Sequence, residues 1–277
     1  MRRISISTVL AAVLAGIPGA IYGPSDSPAA GRALVVTSYE YTFQAPDSIA
    51  GGVVTVRLVN RGKDGHQVSF ALLDDTTSVI RAMRDLAENK KRTTGVTWVG
   101  GVENALPGGS SEATLILRPG RYVLVCAYED DKGRAHMSSG MLHSLTVTPG
   151  ASRADTVLPA AAITARLTDY AVSFSAPLQA GRQLVRVQND GAHRHHLIVG
   201  RMVGKATLDD VMKWDGKSKP APLEDIGQGA AVLEPGRASV IPLTLAPGRY
   251  LFGCVMNDSS GAPPHYMLGM QKEVAVR

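Results

Sequence analysis

The chain has 277 residues, 44% of them apolar, with 29 Gly, 16 Pro, few aromatics and a formal net charge of +5. That length accommodates two ordinary domains with packed cores, and the Gly- and Pro-rich mixture suits short strands and tight turns better than long helices. Two of the positive charges are Arg2 and Arg3 and the rest are scattered; the one short cluster, Lys90-Lys91-Arg92, reads as a solvated face, and nothing points to nucleic acid.

Arg2 and Arg3 precede the apolar run ISISTVLAAVLAGIPGAI. A basic start, a short apolar centre and small residues make the layout of a secretory leader. A spanning helix needs about 20 apolar residues, and Pro18 and Gly19 interrupt this run. Residues 1–30 are therefore expected to be a leader and short linker, with cleavage after Ala20 or nearer Ala30. The mature chain is expected in a periplasmic or extracellular space, without a membrane span. Export would permit a disulfide between the two cysteines, Cys126 and Cys254. They hold the same place in two similar halves, however, and a bridge needs Cα atoms within about 7 Å, so no bridge is expected.

The strands follow in order. LVVTSYEYTF, GVVTVRLVN, HQVSFALL, EATLILRPG, RYVLVCAY and HSLTVT are short, β-branched and partly alternating, and PGRY is a turn feeding the next strand. One helical stretch, Thr76 to Lys91, spaces Val79, Met83 and Leu86 on one face, with Thr77 or Ser78 as cap. The pattern then repeats. VTVRLVNRGKDGHQVSF (from Val54) matches LVRVQNDGAHRHHLIVG (from Leu184), and RPGRYVLVC (from Arg118) matches APGRYLFGC (from Ala246). The offset stays between 128 and 129 residues, so the repeating unit is a domain and not a solenoid turn. TLDDVMKW (Thr207 to Trp214) is the shorter counterpart of the helix. The expected fold is all-β: two tandem Greek-key β-sandwiches, each with a short helix in a mid-domain connection. Their expected bounds are 31–148 and 161–277, with 149–160 as linker.

All seven histidines (His66, His136, His143, His193, His195, His196 and His265) fall in or beside the repeated segments. Each half supplies two imidazoles, a thiol and a thioether in the same order: His66, Cys126, His136 and Met141, then His195, Cys254, His265 and Met270. Imidazole is a borderline ligand, thiolate a soft one, and a distant thioether tunes a potential without locking geometry; this is the inventory of a blue-copper site. Polar turn residues stand midway between each Cys and its His: Asp131 in the first half, Ser259-Ser260 in the second. The chain can run out and return as a hairpin that brings Cys and His face to face. Read blandly, the cysteines are buried thiols, the histidines bond loop carbonyls and the methionines open apolar strands. His193 and His196 lack counterparts, since Asp64 and Gln67 stand there, and read as surface residues. His143 is unmatched as well, and no nucleophile elbow, HExxH, GxGxxG or P-loop is present.

These segments resemble the cupredoxins, the blue-copper proteins related to plastocyanin and azurin. The resemblance covers about 110 residues per half and rests on Asn60, Gly62 and His66 in NRGKDGHQVSF and on the H-x4-M endings His136/Met141 and His265/Met270. It implies up to one copper per half, held by His66, Cys126, His136 and Met141 and by His195, Cys254, His265 and Met270. It further implies electron transfer or copper handling, a redox partner protein, and a carrier rather than an enzyme. This chain departs from the family in its long Cys-to-His loop, with nine residues between ligands in the first half and ten in the second. Multicopper oxidases with such repeats carry several His-x-His pairs, and only His193-x-His195 has that form here. The alternatives are a metal-free binding module on the same scaffold, and an enzyme with copper between the domains.

Overall fold

A computed structural model describes residues 32–88, 94–150, 156–214, 218–258 and 262–277. The expected leader and part of the expected linker lie outside them. The described residues form seventeen strands and two α-helices; the six strand segments read in the first half and both helices are among them, whereas Val96–Ala105 and Leu223–Leu233 are strands that the sequence pattern did not indicate. The first half holds β1 (Arg32–Tyr39), β2 (Thr42–Gln44), β3 (Ser48–Ala50), β4 (Gly52–Asn60), β5 (His66–Leu73), α1 (Val79–Ala87), β6 (Val96–Ala105), β7 (Ser110–Leu117), β8 (Gly120–Val125) and β9 (Leu142–Thr148). The second holds β10 (Ile163–Thr168), β11 (Ala171–Phe174), β12 (Gly181–Asn189), β13 (His195–Met202), α2 (Leu208–Lys213), β14 (Leu223–Leu233), β15 (Ala238–Leu245), β16 (Gly248–Gly253) and β17 (Gln271–Val276). This is the all-β arrangement expected, with two similar halves in tandem and β1 parallel to β4 and β10 parallel to β12 in matching registers.

The halves share their sheets. One sheet runs β11-β10-β12-β15-β7-β4-β1-β2 and the other β17-β16-β13-β14-β6-β5-β8-β9-β3. The seam lies where β14 pairs with β6 (Ala230 opposite Val102, Leu233 opposite Val99) and β15 with β7 (Val240 opposite Thr114). Edge strands that would otherwise expose unpaired amides are thereby closed, and residues 31–277 form one compact unit. Alternating side chains of β1 and β4 (Leu34, Val36, Val54, Val56, Leu58) fill one core with Val185, Val187, Leu243 and Leu245 of the second half.

The helices form where expected. Ser78 caps α1 by accepting from the Arg81 amide, and Ala82 and Leu86 pack on a second cluster with Ala71, Val123 and Met137. Thr207 and Asp210 make a reciprocal capping box at α2. The PGRY repeat has a physical basis too: Tyr122 donates to the Arg118 carbonyl at 2.8 Å and Tyr250 to the Ala246 carbonyl at 3.0 Å, pinning each turn to its strand.

Candidate metal centre

Each site is assembled from a loop before one strand and a loop after another. The loop ahead of the first histidine is organised by a buried asparagine. Asn60 donates to the carbonyls of Asp64 (2.7 Å) and Ala105 (2.8 Å) and accepts from the Gly62 amide (2.8 Å). Asn189 repeats this with His193, Leu233 and Gly191 at 2.8–2.9 Å. His66 and His195 follow as the first residues of β5 and β13, both fully buried.

The cysteines come directly after β8 and β16, also fully buried and free. In the first half the chain then leaves and returns as the polar midpoint predicts. Glu129 bridges Ala135, and Asp130 accepts from the Lys132 and Arg134 amides, both at 2.9 Å. In the second half the expected turn at Ser259-Ser260 lies outside the described residues. The return delivers His136 and His265 at the start of short 3-10 turns, His136–Ser139 and His265–Leu268. Each turn ends on a glycine at positive φ, Gly140 (101°) and Gly269 (109°). No atom would obstruct a methyl group at Gly140, so only backbone strain opposes one there. Gly140→Ala is expected to destabilise the fold by about 1 kcal/mol, read from urea unfolding.

The predicted ligand atoms converge. His66, Cys126 and His136 form one buried group and His195, Cys254 and His265 another, each with its ligand atoms within 4.8 Å of one another. The two Nδ1 atoms of a half stand 3.2 Å apart in the first (His66 and His136) and 3.0 Å in the second (His195 and His265). Each Cys Sγ lies 3.5 Å from the Nδ1 of the second histidine. Metal bonds of about 2.0–2.3 Å in tetrahedral array put neighbouring ligands about 3.3–3.6 Å apart, so the groups fit an ion with little movement. Met141 and Met270 are fully buried in the core that includes the cysteines. Their backbones lace the site: the Cys126 amide donates to the Met141 carbonyl (3.3 Å) and the Met141 amide to the His136 carbonyl (3.1 Å), with the same pair repeated at Cys254, Met270 and His265.

The surroundings differ between halves. In the second, Asp169 Oδ1 lies 2.6 Å from His195 Nε2 and Asp258 Oδ1 lies 2.9 Å from His265 Nε2. Tyr170 donates its hydroxyl to Asp258 and packs on the His265 ring. Burial acts to raise the Asp169 carboxyl, but the amides of Ala192 and His193 together with His195 outweigh it and hold it down to about 2. In the first half Glu40 matches Asp169 and accepts from the Lys63 and Asp64 amides in the same way, but its oxygen stands 3.9 Å from His66 Nε2. Among the described residues His66 Nε2 and His136 Nε2 have no hydrogen-bond partner. Burial pushes the Cys126 thiol up to about 12.

One sequence expectation is corrected. His196 is not a surface residue: it is 6% exposed and lies 3.2 Å from Glu103 of the other half. Alternation along β13 correctly turns it away from His195, but the opposite face is covered by the neighbouring half, which local pattern does not report. His193 is half-exposed, 3.5 Å from Asp169. His143 sits apart, 3.3 Å from the Pro46 carbonyl. Asp169, Asp258 and Glu103 escaped sequence reading altogether. The Glu40-Tyr41 and Asp169-Tyr170 pairs, 129 residues apart, are the signal that would have found the first.

No family model matches the chain, and no curated protein does. Solved structures similar to it include dithionite-reduced auracyanin from Roseiflexus castenholzii (22% identity, TM-score 0.31, covering 43% of this chain and 99% of that one). The copper-containing nitrite reductase of Thermus scotoductus SA-01 is 15% identical over 90% of this chain, which spans 62% of that enzyme, with a TM-score of 0.27. The blue copper oxidase of Nitrosomonas europaea is 13% identical over 90% of this chain and 86% of its own, with a TM-score of 0.26.

Proposed function

We propose that this chain binds one copper ion in each half and serves in electron transfer or copper handling. The first site comprises His66, Cys126 and His136 with Met141 as weak fourth ligand, the second His195, Cys254 and His265 with Met270. The carrying observation is the repeated meeting of two imidazole Nδ1 atoms and one thiol sulfur in a buried pocket. Copper held by such a set would supply one-electron exchange between Cu(I) and Cu(II). The protein's part is to hold the ligands: buried asparagines fix one loop, glycine-ended turns fix the other, and burial excludes water. Export under the leader at residues 1–30 and exchange with a redox partner protein complete the proposal. Among the described residues no helix is long and apolar enough to cross a membrane.

Titration of the metal-free protein with Cu(II) is expected to produce an intense visible thiolate-to-copper band that saturates at two equivalents per chain. Cys254→Ser is expected to halve the band, and Cys126→Ser with Cys254→Ser to abolish it. Colour from the second half that survives His195→Ala with His265→Ala would overturn the ligand assignment. A colourless protein whose cysteine variants bind copper equally well would leave a metal-free scaffold.

A further inference from the structure

Between the two sites lies a buried polar chain that the copper-site reading does not use. The Ala127 amide, next to Cys126, donates to Gln67 Oε1 at 3.0 Å. Gln67 Nε2 reaches Glu103 Oε2 at 3.5 Å. Glu103 Oε1 is 3.2 Å from His196 Nδ1, and His196 Nε2 accepts from the Val255 amide, next to Cys254, at 3.0 Å. A ring nitrogen that accepts is unprotonated, so His196 donates through Nδ1 and Glu103 receives a donor on each oxygen. Three hydrogen bonds and the 3.2 Å contact between Glu103 and His196 thus link the peptide after one cysteine to the peptide after the other. Gln67, Glu103 and His196 are 4%, 1% and 6% exposed.

The chain is built, not incidental. Gln67 and His196 hold matching positions, each directly after the first histidine of its half, and each receives the amide that follows its own cysteine. One carboxylate serves both, because the position matching Glu103 in the second half is Ala231. Gly229, paired into the seam, makes room: a Cβ there would stand 3.0 Å from Glu103 Cβ and 2.3 Å from the Leu197 carbonyl. Beside it Asn104 donates to Asp225 across the seam at 2.6 Å.

We propose that Glu103 is a positioning residue shared by both centres, tying the two cysteine loops together so that metal bound in one half alters the site in the other. The inference rests on the copper-binding reading. Its physical basis is that a thiolate bound to metal changes the polarity of the following amide, and a polar chain whose three linking side chains are buried passes that polarisation along with little screening by water. By linkage the effect is reciprocal. A buried carboxylate that merely docked the halves would change stability and leave each site blind to its neighbour.

The test has two arms. In the first, the copper affinity and visible band of the second half are compared in the wild type with the first half filled and in Cys126→Ser, where it stays empty. A difference of about fivefold or more in affinity, with a displaced band, is expected; it should vanish in Glu103→Leu and shrink in Glu103→Gln, which keeps the shape but one acceptor only. Equal affinities in the wild type, or a difference that survives Glu103→Leu, would overturn the proposal. The second arm needs no metal: in amide NMR of the metal-free protein, Glu103→Leu and Glu103→Gln should each shift both the Ala127 and the Val255 resonances. Movement of one alone would break the chain and the proposal with it. Absence of a copper band with both amides moving would instead count against the metal reading and leave the hydrogen-bonded chain standing.

Discussion

Asp169→Asn and Asp258→Asn are each expected to lower copper affinity in the second half by roughly 10–100-fold. Each carboxylate accepts the Nε2 proton of its histidine, which leaves the Nδ1 lone pair free to face the ion. An amide in its place can accept this hydrogen bond but carries no charge, so the imidazole loses basicity while keeping its position. The first half supplies an internal control: Glu40 stands 3.9 Å from His66, and Glu40→Gln should change affinity there by less than about threefold. A second consequence is redox asymmetry. Basic, carboxylate-backed imidazoles favour Cu(II), so the second-half centre should have the lower potential, and the two asparagine variants should narrow the gap. Competitive copper titration and voltammetry on the Cys126→Ser background isolate the second half. Unchanged affinity and potential in both variants would show that the carboxylates only pack.

Asn60→Ala and Asn189→Ala should each destabilise the chain by about 3 kcal/mol or more. Each asparagine makes three hydrogen bonds while wholly buried. Its removal leaves the buried Ala105 or Leu233 carbonyl without a partner, at about 1–3 kcal/mol, and takes two further hydrogen bonds from a part-buried carbonyl and amide, at about 0.5–1.5 kcal/mol each. The loop released is the one that ends on His66 or His195, so copper affinity should fall in the same half and hold in the other. Urea unfolding of the metal-free variants gives the first quantity. A loss below about 1 kcal/mol would mean that the loops are held elsewhere.

What the amino-acid order determined by itself was whatever repeats or alternates. Strand alternation, turn residues and caps act over a few residues, so the all-β class, both helices and the first half's Cys-to-His hairpin were legible. The repeat did more, because two copies of His, Cys, His and Met in one order separated a candidate set from scattered polar residues, and the His, Cys and His of each copy meet in the fold. Tertiary structure alone decided the rest. Glu103 appears once and has no local pattern; it becomes a link only because β6 pairs with β14 and the Gly229 position is empty of side chain. His196 is buried for the same reason. Asp258 passes for a turn residue until the chain's return sets it against His265. Local propensity fixes which way a side chain leaves its strand, whereas what it meets there depends on edges joined across a hundred residues or more, and that pairing follows from burial of the whole core.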